Sequence, residues 1–369
     1  MDFEYSEEQK QLADSVRKFS QKGYDFEARK KILQSKEGWS SEAWSTFADM
    51  GLLGLPVSDE YGGFGGGAVD LMAVMEIFGE VLVVEPYLPT VLCARLVSRA
   101  GSAAQKQAIL PGVVEGKLRL AFAQTEVGAR YNLGEIATRA KKSGDGWELD
   151  GEKLVVLGAP MADKLVVSAR TAAGISLFLV DRSAGGVTLK SYLTLDGTRA
   201  ADVVLKAVKL GADALLGADG TGLPVIEEAV DFATALICAE AVGAMKFACD
   251  TTLEYLKTRK QFGVPIGTFQ ALQHRMVDMY VATEQARSMA CLACSRADGA
   301  TDARERMQAI SAAKIKIADA CRHVSQEAVQ LHGGMGMTEE MKVSHTFRRL
   351  TMIAQQFGDA DHHLARFAG

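Results

Sequence analysis

The chain has 369 residues, 48% of them hydrophobic and 24% charged, with a formal net charge of −5. That length suffices for two or three packed units rather than one core, and the balance is that of a soluble globular protein. The acidic balance, without clustered Lys and Arg, excludes a nucleic-acid footprint, and the apolar run at Leu236–Ala241 is broken by polar residues well short of a membrane span.

The opening Met1-Asp2-Phe3-Glu4-Tyr5 is acidic and polar, so no signal peptide is expected. From residue 6 to about 116 the pattern is helical: Ser6-Glu7-Glu8-Gln9 opens like a capped helix, and Leu12, Val16 and Phe19 recur at helical spacing. The glycines between Gly62 and Gly67 interrupt this as a loop. They follow Glu60-Tyr61 rather than a hydrophobic strand, which argues against a phosphate cradle.

Residues 117–214 change character. Leu118–Ala123, Trp147–Leu149, Lys164–Ser168 and Ser176–Val180 read as strands, with hairpin turns expected at Gly144-Asp145-Gly146 and Asp150-Gly151. Short strands at this spacing predict a small β-barrel or sandwich, closed by Leu215-Leu216-Gly217. The segment 215–369 returns to the helical period over about 223–257, 269–297, 303–331 and 338–368, which predicts an antiparallel four-helix bundle. Gly299 and Gly333-Gly334 punctuate its links. Three domains are therefore expected, 1–116, 117–214 and 215–369.

The six cysteines are at 93, 238, 249, 291, 294 and 321, five of them in segments of helical periodicity. Cys291 and Cys294 make a CxxC spacing, but no second CxxC or nearby His pair completes a zinc set. Buried small side chains on a helix in a reducing, cytoplasmic setting are the expectation, and no metal site.

Two stretches hold groups suited to a phosphorylated ligand. Arg259 stands at a helix end, where it could pair with phosphate bidentately or simply complement the helix dipole. In Gln330-Leu331-His332-Gly333-Gly334-Met335-Gly336, the glycines would let backbone N–H groups approach a pyrophosphate, or would serve only as a turn with positive φ. Gln330 can donate or accept a hydrogen bond.

Arg259-Lys260-Gln261-Phe262-Gly263, Phe269-Gln270-Ala271 and the stretch Gln330–Thr338 together resemble the acyl-CoA dehydrogenase family of flavoenzymes. Gly51-Leu52-Leu53-Gly54-Leu55 and Glu60-Tyr61-Gly62-Gly63 add to the likeness, and the order of helices, strands and helices matches the family over essentially the whole chain. The resemblance implies a mainly α protein with a central β domain: an N-terminal helical domain, a middle β-barrel and a C-terminal four-helix bundle. It implies an oxidoreductase of fatty-acid metabolism with FAD as cofactor, an acyl-CoA substrate and an electron-transfer flavoprotein as partner. Arg259 and Phe262 would bind FAD carried mainly by a neighbouring subunit, with Gln270, Gln330, Gly333 and Gly334 reaching the same cofactor.

The middle segment departs from the family. Against a Thr-Glu-Pro-Gly-x-Gly-Ser-Asp loop this chain has Thr125-Glu126-Val127-Gly128-Ala129-Arg130-Tyr131-Asn132. Thr125 carries over as a cofactor contact; the proline, second glycine, serine and aspartate do not. The family's Trp-Ile-Thr-Asn strand is Val155-Val156-Leu157-Gly158 here. Valine cannot stack on an isoalloxazine as indole does, and leucine offers the flavin edge no hydrogen bond.

Oxidation needs a carboxylate to take the α-proton as hydride leaves. Most members place this Glu near the C-terminus after an aromatic residue; here Gly358 follows Phe357. A minority place it on the first bundle helix two residues after an aspartate; here Ala233 follows Asp231-Phe232, and Thr234 stands where an arginine often comes next. Asp359, Asp361 and His362 are the nearby alternatives, with loop or cap hydrogen bonding the plainer role for the two aspartates. Adjacent His362 and His363 diverge on a helix, which argues against a shared metal. No catalytic residue is assigned.

By the resemblance, features that contact a neighbour's flavin are kept, while those serving the chain's own flavin are worn. That asymmetry resembles the small subunit of heteromeric bacterial enzymes such as pimeloyl-CoA dehydrogenase, including the closing Phe-Gly-Asp-Ala-Asp-His-His segment. A partner dehydrogenase subunit, in a tetramer, would then supply the base. Three alternatives stay open: a self-sufficient homo-oligomer with an unconventional base, a flavin-dependent oxidase or monooxygenase on the same fold, and a non-catalytic acyl-CoA-binding subunit.

Overall fold

The computed structural model describes residues 6–300 and 302–369; Met1–Tyr5, on which the leader expectation rests, lies outside the described residues. Among the described residues, six α-helices come first: α1 (Glu7–Gly23), α2 (Phe26–Gln34), α3 (Ser41–Asp49), α4 (Ala68–Val81), α5 (Tyr87–Ala100) and α6 (Ala103–Val114). The capped start is as the sequence predicts: Ser6 Oγ accepts from Gln9 N–H at 3.2 Å while Gln9 Oε1 accepts from Ser6 N–H at 2.9 Å. Gly62–Gly67 is loop, as expected.

Eight strands follow: β1 (Leu120–Ala123), β2 (Arg139–Ser143), β3 (Gly146–Leu157), β4 (Lys164–Arg170), β5 (Ile175–Asp181), β6 (Val187–Leu193), β7 (Arg199–Leu210) and β8 (Leu215–Leu216). They form one sheet in the order β6-β7-β3-β2-β4-β5-β8, with β1 parallel to β4. Its core includes Trp147, Leu149, Val167, Phe178 and Val203, with the Trp147 and Phe178 rings edge to face at 5.2 Å.

One expected turn is not a turn. Asp150-Gly151 lies inside the continuous strand β3, where the pairing with β7 shifts register between Leu149 and Gly151. Turns and bulges both recruit glycine. Here the cause is close approach, since a Cβ at Gly151 would stand 2.4 Å from Thr138 Oγ1. Strands β2, β6 and β7 carry too many charged or exposed residues to announce themselves by alternation.

The C-terminal segment holds α7 (Gly222–Thr258), a two-residue hairpin β9 (Lys260–Gln261) and β10 (Val264–Pro265), then α8 (Gln270–Gly299), α9 (Ala303–His332), α10 (Lys342–Gln355) and α11 (Ala360–Ala368). The single helix expected over 338–368 is thus two. Phe357 and Gly358 have φ of 61° and 126°, which no helix contains. The ammonium of Lys314 on α9 accounts for the break, capping the end of α10 by donating to the carbonyls of Ile353 and Ala354. By length and composition α7 is apolar enough to cross a membrane, contrary to the expectation from its interrupted runs. Within this fold 89% of that stretch is buried, so its apolar surface serves the core. All six cysteines are free and lie on helices, and Cys294 Sγ contacts the Ala235 carbonyl rather than Cys291.

The chain forms two compact units. One comprises Lys30–Gly67 and Val84–Ala233, with the whole sheet; the other comprises the described residues up to Arg29, Ala68–Val83 and Thr234–Gly369. The N-terminal helices are divided between the units, because α4 packs on α8 and α1 packs on α4. In that second unit α4 and α7 cross backbone against backbone. A Cβ at Gly79 would meet the Glu240 carbonyl oxygen at 1.8 Å, and one at Gly243 would meet that of Glu76 at 1.7 Å. Arg349 of α10 braces the same stretch of α7 through Glu240, at 2.6 and 2.9 Å.

Candidate active site

The residues expected to hold a phosphorylated cofactor gather in two neighbouring places of the helical unit. Arg259 is exposed just past α7; its N–H donates to Tyr255 O at 2.8 Å and its own carbonyl accepts from Ile266 N–H at 2.8 Å. Between β9 and β10 stand Phe262 and Gly263, with φ of 55° and 82°. Positive φ at both central positions is the geometry of a tight hairpin whose twist matches its strands. A bulky residue reaches it only under strain, yet the Phe262 side chain is 91% exposed, touching Phe269 edge-on at 6.2 Å between ring centres. Gln270 opens α8 and is exposed.

The second place is the end of α9. Gln330, Gly333 and Gly334 are exposed there, and Gly333 N–H donates to the Gln330 carbonyl. Gly333 needs to be glycine for its own backbone, at φ 60°. Gly334 does not: its φ is not positive and no atom lies within 4 Å of a Cβ built on it. Gly336 is buried where a Cβ would meet Val329 O at 2.7 Å, so the turn folds back on the helix end. The two places are linked by Tyr255 and His332, whose rings stack at 4.5 Å and 29°.

The position expected for the base is closed. Gly358 is buried with φ 126°, and a Cβ on it would lie 2.6 Å from His362 Cδ2 and 2.6 Å from His363 Nε2. His363 is pinned: Nε2 lies 3.2 Å from the Phe357 carbonyl and Nδ1 lies 3.3 Å from Ser311 Oγ. These partners put the proton on Nε2 and leave Nδ1 to accept from the hydroxyl. Burial, with the positive charge of Lys314 nearby, pushes its pKa down to about 3, so the ring is neutral. Burial and then Arg366 also lower that of His362. Asp359 caps α11, its Oδ1 accepting from His362 N–H at 2.9 Å, and Asp361 is exposed in the first turn. Ala233, at the other position, is fully buried in α7.

In the sheet unit, Thr125 is exposed after β1 and its carbonyl accepts from Leu154 N–H at 2.8 Å. The next residue holds an arrangement the sequence reading missed. Glu126 and Lys153 are both buried and paired at 2.6 Å. Lys153 also donates to Ser168 Oγ at 2.8 Å, and Glu126 accepts from the Ala137 and Thr138 N–H groups. Burial raises the Glu126 pKa, but the charge and hydrogen bonds of Lys153 outweigh it and hold the carboxyl below its ordinary value. The available signal was strand alternation, which turns Lys153 to the same face as Leu149. Val155 is exposed at φ 50° beside a second register shift, with its N–H donating to Asp202 Oδ1 at 3.1 Å. The aliphatic stretch is therefore also locally kinked.

Residues 6–117, 121–208 and 220–367 match, in turn, the family models described as acyl-CoA dehydrogenase N-terminal, middle and C-terminal domains. The chain is 32% identical over 335 residues to acyl-CoA dehydrogenase FadE12 of Mycobacterium tuberculosis, spanning 86% of this chain and 85% of that one. It is 30% identical over 355 residues to the CarC subunit of the caffeyl-CoA reductase-Etf complex of Acetobacterium woodii, spanning 93% of each. Among solved structures, the ChsE4-ChsE5 complex from Mycobacterium tuberculosis is similar at a TM-score of 0.91 and 27% identity, covering 100% of this chain and 98% of that one.

Proposed function

The chain belongs to the acyl-CoA dehydrogenase family, and from that premise we propose that it is the small subunit of a heteromeric, FAD-dependent enzyme oxidising an acyl-CoA thioester. The single observation that carries this reading is the closed base position. A glutamate cannot stand at Gly358 without displacing a pinned imidazole, and Asp359 beside it is spent on capping α11. The base then comes from the partner.

The exposed arm fits the cofactor in its chemistry. Arg259 offers a guanidinium for a phosphate. Gly334 is a position where nothing in this chain asks for glycine but an approaching pyrophosphate would. When bound, FAD accepts the hydride that leaves the β-carbon as a base takes the α-proton. This chain's part is to bind and orient the partner's cofactor through Arg259, Phe262, Gln270, Gln330, Gly333 and Gly334; Thr125 is a separate cofactor contact in the sheet unit. Likeness to an Etf-complex subunit and to a complex of two proteins supports an electron-transfer flavoprotein and a partner dehydrogenase subunit as associates; a tetramer is the assembly that the family resemblance implies. Six free thiols suit a reducing compartment, and we assign the cytoplasm.

Co-purification with the partner subunit tests this. Flavin absorbance against protein mass is expected to give one FAD per unlike pair, with the chain alone giving no rapid anaerobic bleaching by acyl-CoA. A homo-oligomer of this chain carrying stoichiometric FAD that an acyl-CoA reduces would overturn the proposal.

A further inference from the structure

Tyr255 and His332 sit at the roots of the two parts of the exposed arm. Tyr255 lies one helical turn before Arg259 and accepts its N–H at 2.8 Å; His332 is the last residue of α9, immediately before Gly333. Their rings stack at 4.5 Å between centres and 29° between planes, a separation within the favourable range for aromatic pairs. His332 is 2% exposed, although the glycines that follow it are exposed.

The histidine ring cannot turn freely. Nδ1 lies 2.8 Å from the Ala328 carbonyl one turn back, so Nδ1 carries the proton and donates. Nε2 then presents a lone pair that is buried and has no hydrogen-bond partner among the described residues. Burial lowers the pKa of the imidazole, which favours its neutral form in the stack. The glycine turn rests on this residue as well: a Cβ at Gly336 would stand 3.0 Å from His332 Cβ. Leaving a buried acceptor unsatisfied is unfavourable. What the imidazole supplies in return is a flat, rotationally fixed face against Tyr255.

We propose that the Tyr255–His332 stack is a positioning pair that sets the separation between the Arg259–Phe262 hairpin and the Gln330–Gly334 turn, and so tunes the hold on FAD. This rests on the small-subunit reading of the arm. Neither ring need touch the cofactor. A shift of Tyr255 carries Arg259 with it through the helix, and a shift of His332 carries the N–H groups of Gly333 and Gly334.

The test uses the assembled complex with its partner subunit, stripped of flavin and titrated with FAD while flavin fluorescence is followed. Tyr255→Leu and His332→Leu keep bulk but remove the stack; Tyr255→Phe and His332→Phe keep two stacked rings. The leucine variants are expected to weaken FAD binding about 10-fold with assembly by size exclusion unchanged, and the phenylalanine variants to stay within about 2-fold of the native complex. Arg259→Ala separates the two levels of the argument. If it weakens FAD binding while the leucine variants bind normally, the arm reading stands and the positioning role is wrong. If it too binds normally, the arm reading itself fails. Should a leucine variant not assemble, His332→Phe decides: FAD binding weakened about 10-fold there, in a properly assembled complex, overturns the stack as the operative feature.

Discussion

Lys314 Nζ donates to the carbonyl of Gly358 at 2.8 Å, and the same ammonium serves the carbonyls of Ile353 and Ala354 at 2.9 and 3.1 Å. One buried cation therefore ends α10 and anchors the residue at the position where the family resemblance leads one to expect a base. Three donors meet three acceptors, which leaves the ammonium fully satisfied. Burial still lowers the Lys314 pKa, opposed by Cys238, Cys321 and Asp359.

The closed position predicts that the missing acid cannot be put back by one substitution. Gly358→Glu is expected to give no gain in acyl-CoA-dependent flavin bleaching and to lower stability by about 1–3 kcal/mol through overpacking against His362 and His363. Chemical denaturation and anaerobic titration check the two halves. A stable variant that bleaches its flavin would show that the imidazoles yield.

His363 predicts an acid limb to stability. Its folded pKa, about 3, lies below the ordinary value of 6.5, so in mildly acidic solution the unfolded chain takes up a proton that the folded chain refuses. Stability from this group is complete above pH ~6.5 and is lost as pH falls from there toward 3, by about 1.4 kcal/mol per unit at most. Denaturation midpoints of native protein and His363→Gln between pH 4 and 8 measure it; the variant should show a shallower decline. Parallel curves would assign the acid limb to other groups.

Gly334 separates folding from ligand binding. Since no atom crowds a Cβ there, Gly334→Ala should leave the melting temperature of the subunit unchanged while reducing FAD content in the assembled enzyme. Absorbance per protein mass after dialysis reads the effect. Full flavin content would mean the turn stands clear of the cofactor.

The Glu126–Lys153 pair predicts non-additive losses. Breaking it from one side, by Lys153→Met or Glu126→Gln, leaves a buried group uncompensated and should cost about 3–5 kcal/mol; removing both together should cost less than either alone. A double-variant cycle in urea measures the coupling. Additive losses would mean that the two groups act independently.

Local signals were the legible ones. The Ser6–Gln9 cap, the helical periodicity and the strands at Leu120–Ala123 and Ile175–Asp181 are encoded by residues near one another in the chain. Asp150-Gly151 misled because a turn and a close approach recruit the same residue type, and only Thr138, packed against Gly151, distinguishes them. The split of the last helix was invisible for a related reason: its cause is Lys314, 44 residues away from Gly358. Lys153 was overlooked because a lysine in a strand reads as solvent-facing until its buried partner is known. The arm residues were recognised through family likeness, whereas Tyr255 and His332 carried no signal at all, being an ordinary tyrosine and histidine until the fold stacks them.

The crossing of α4 and α7 at Gly79 and Gly243 makes α7 a gauge rod. Neither backbone can slide past the other by one residue, because every side chain larger than hydrogen would collide there. Arg259 follows Gly243 by 16 positions, roughly 24 Å of helix at 1.5 Å per residue. A slip of one position at the notch would turn the far end by about 100° and advance it by about 1.5 Å. The guanidinium is thus aimed by a notch deep in the core, and lesions at those two glycines would misdirect it without touching its surroundings.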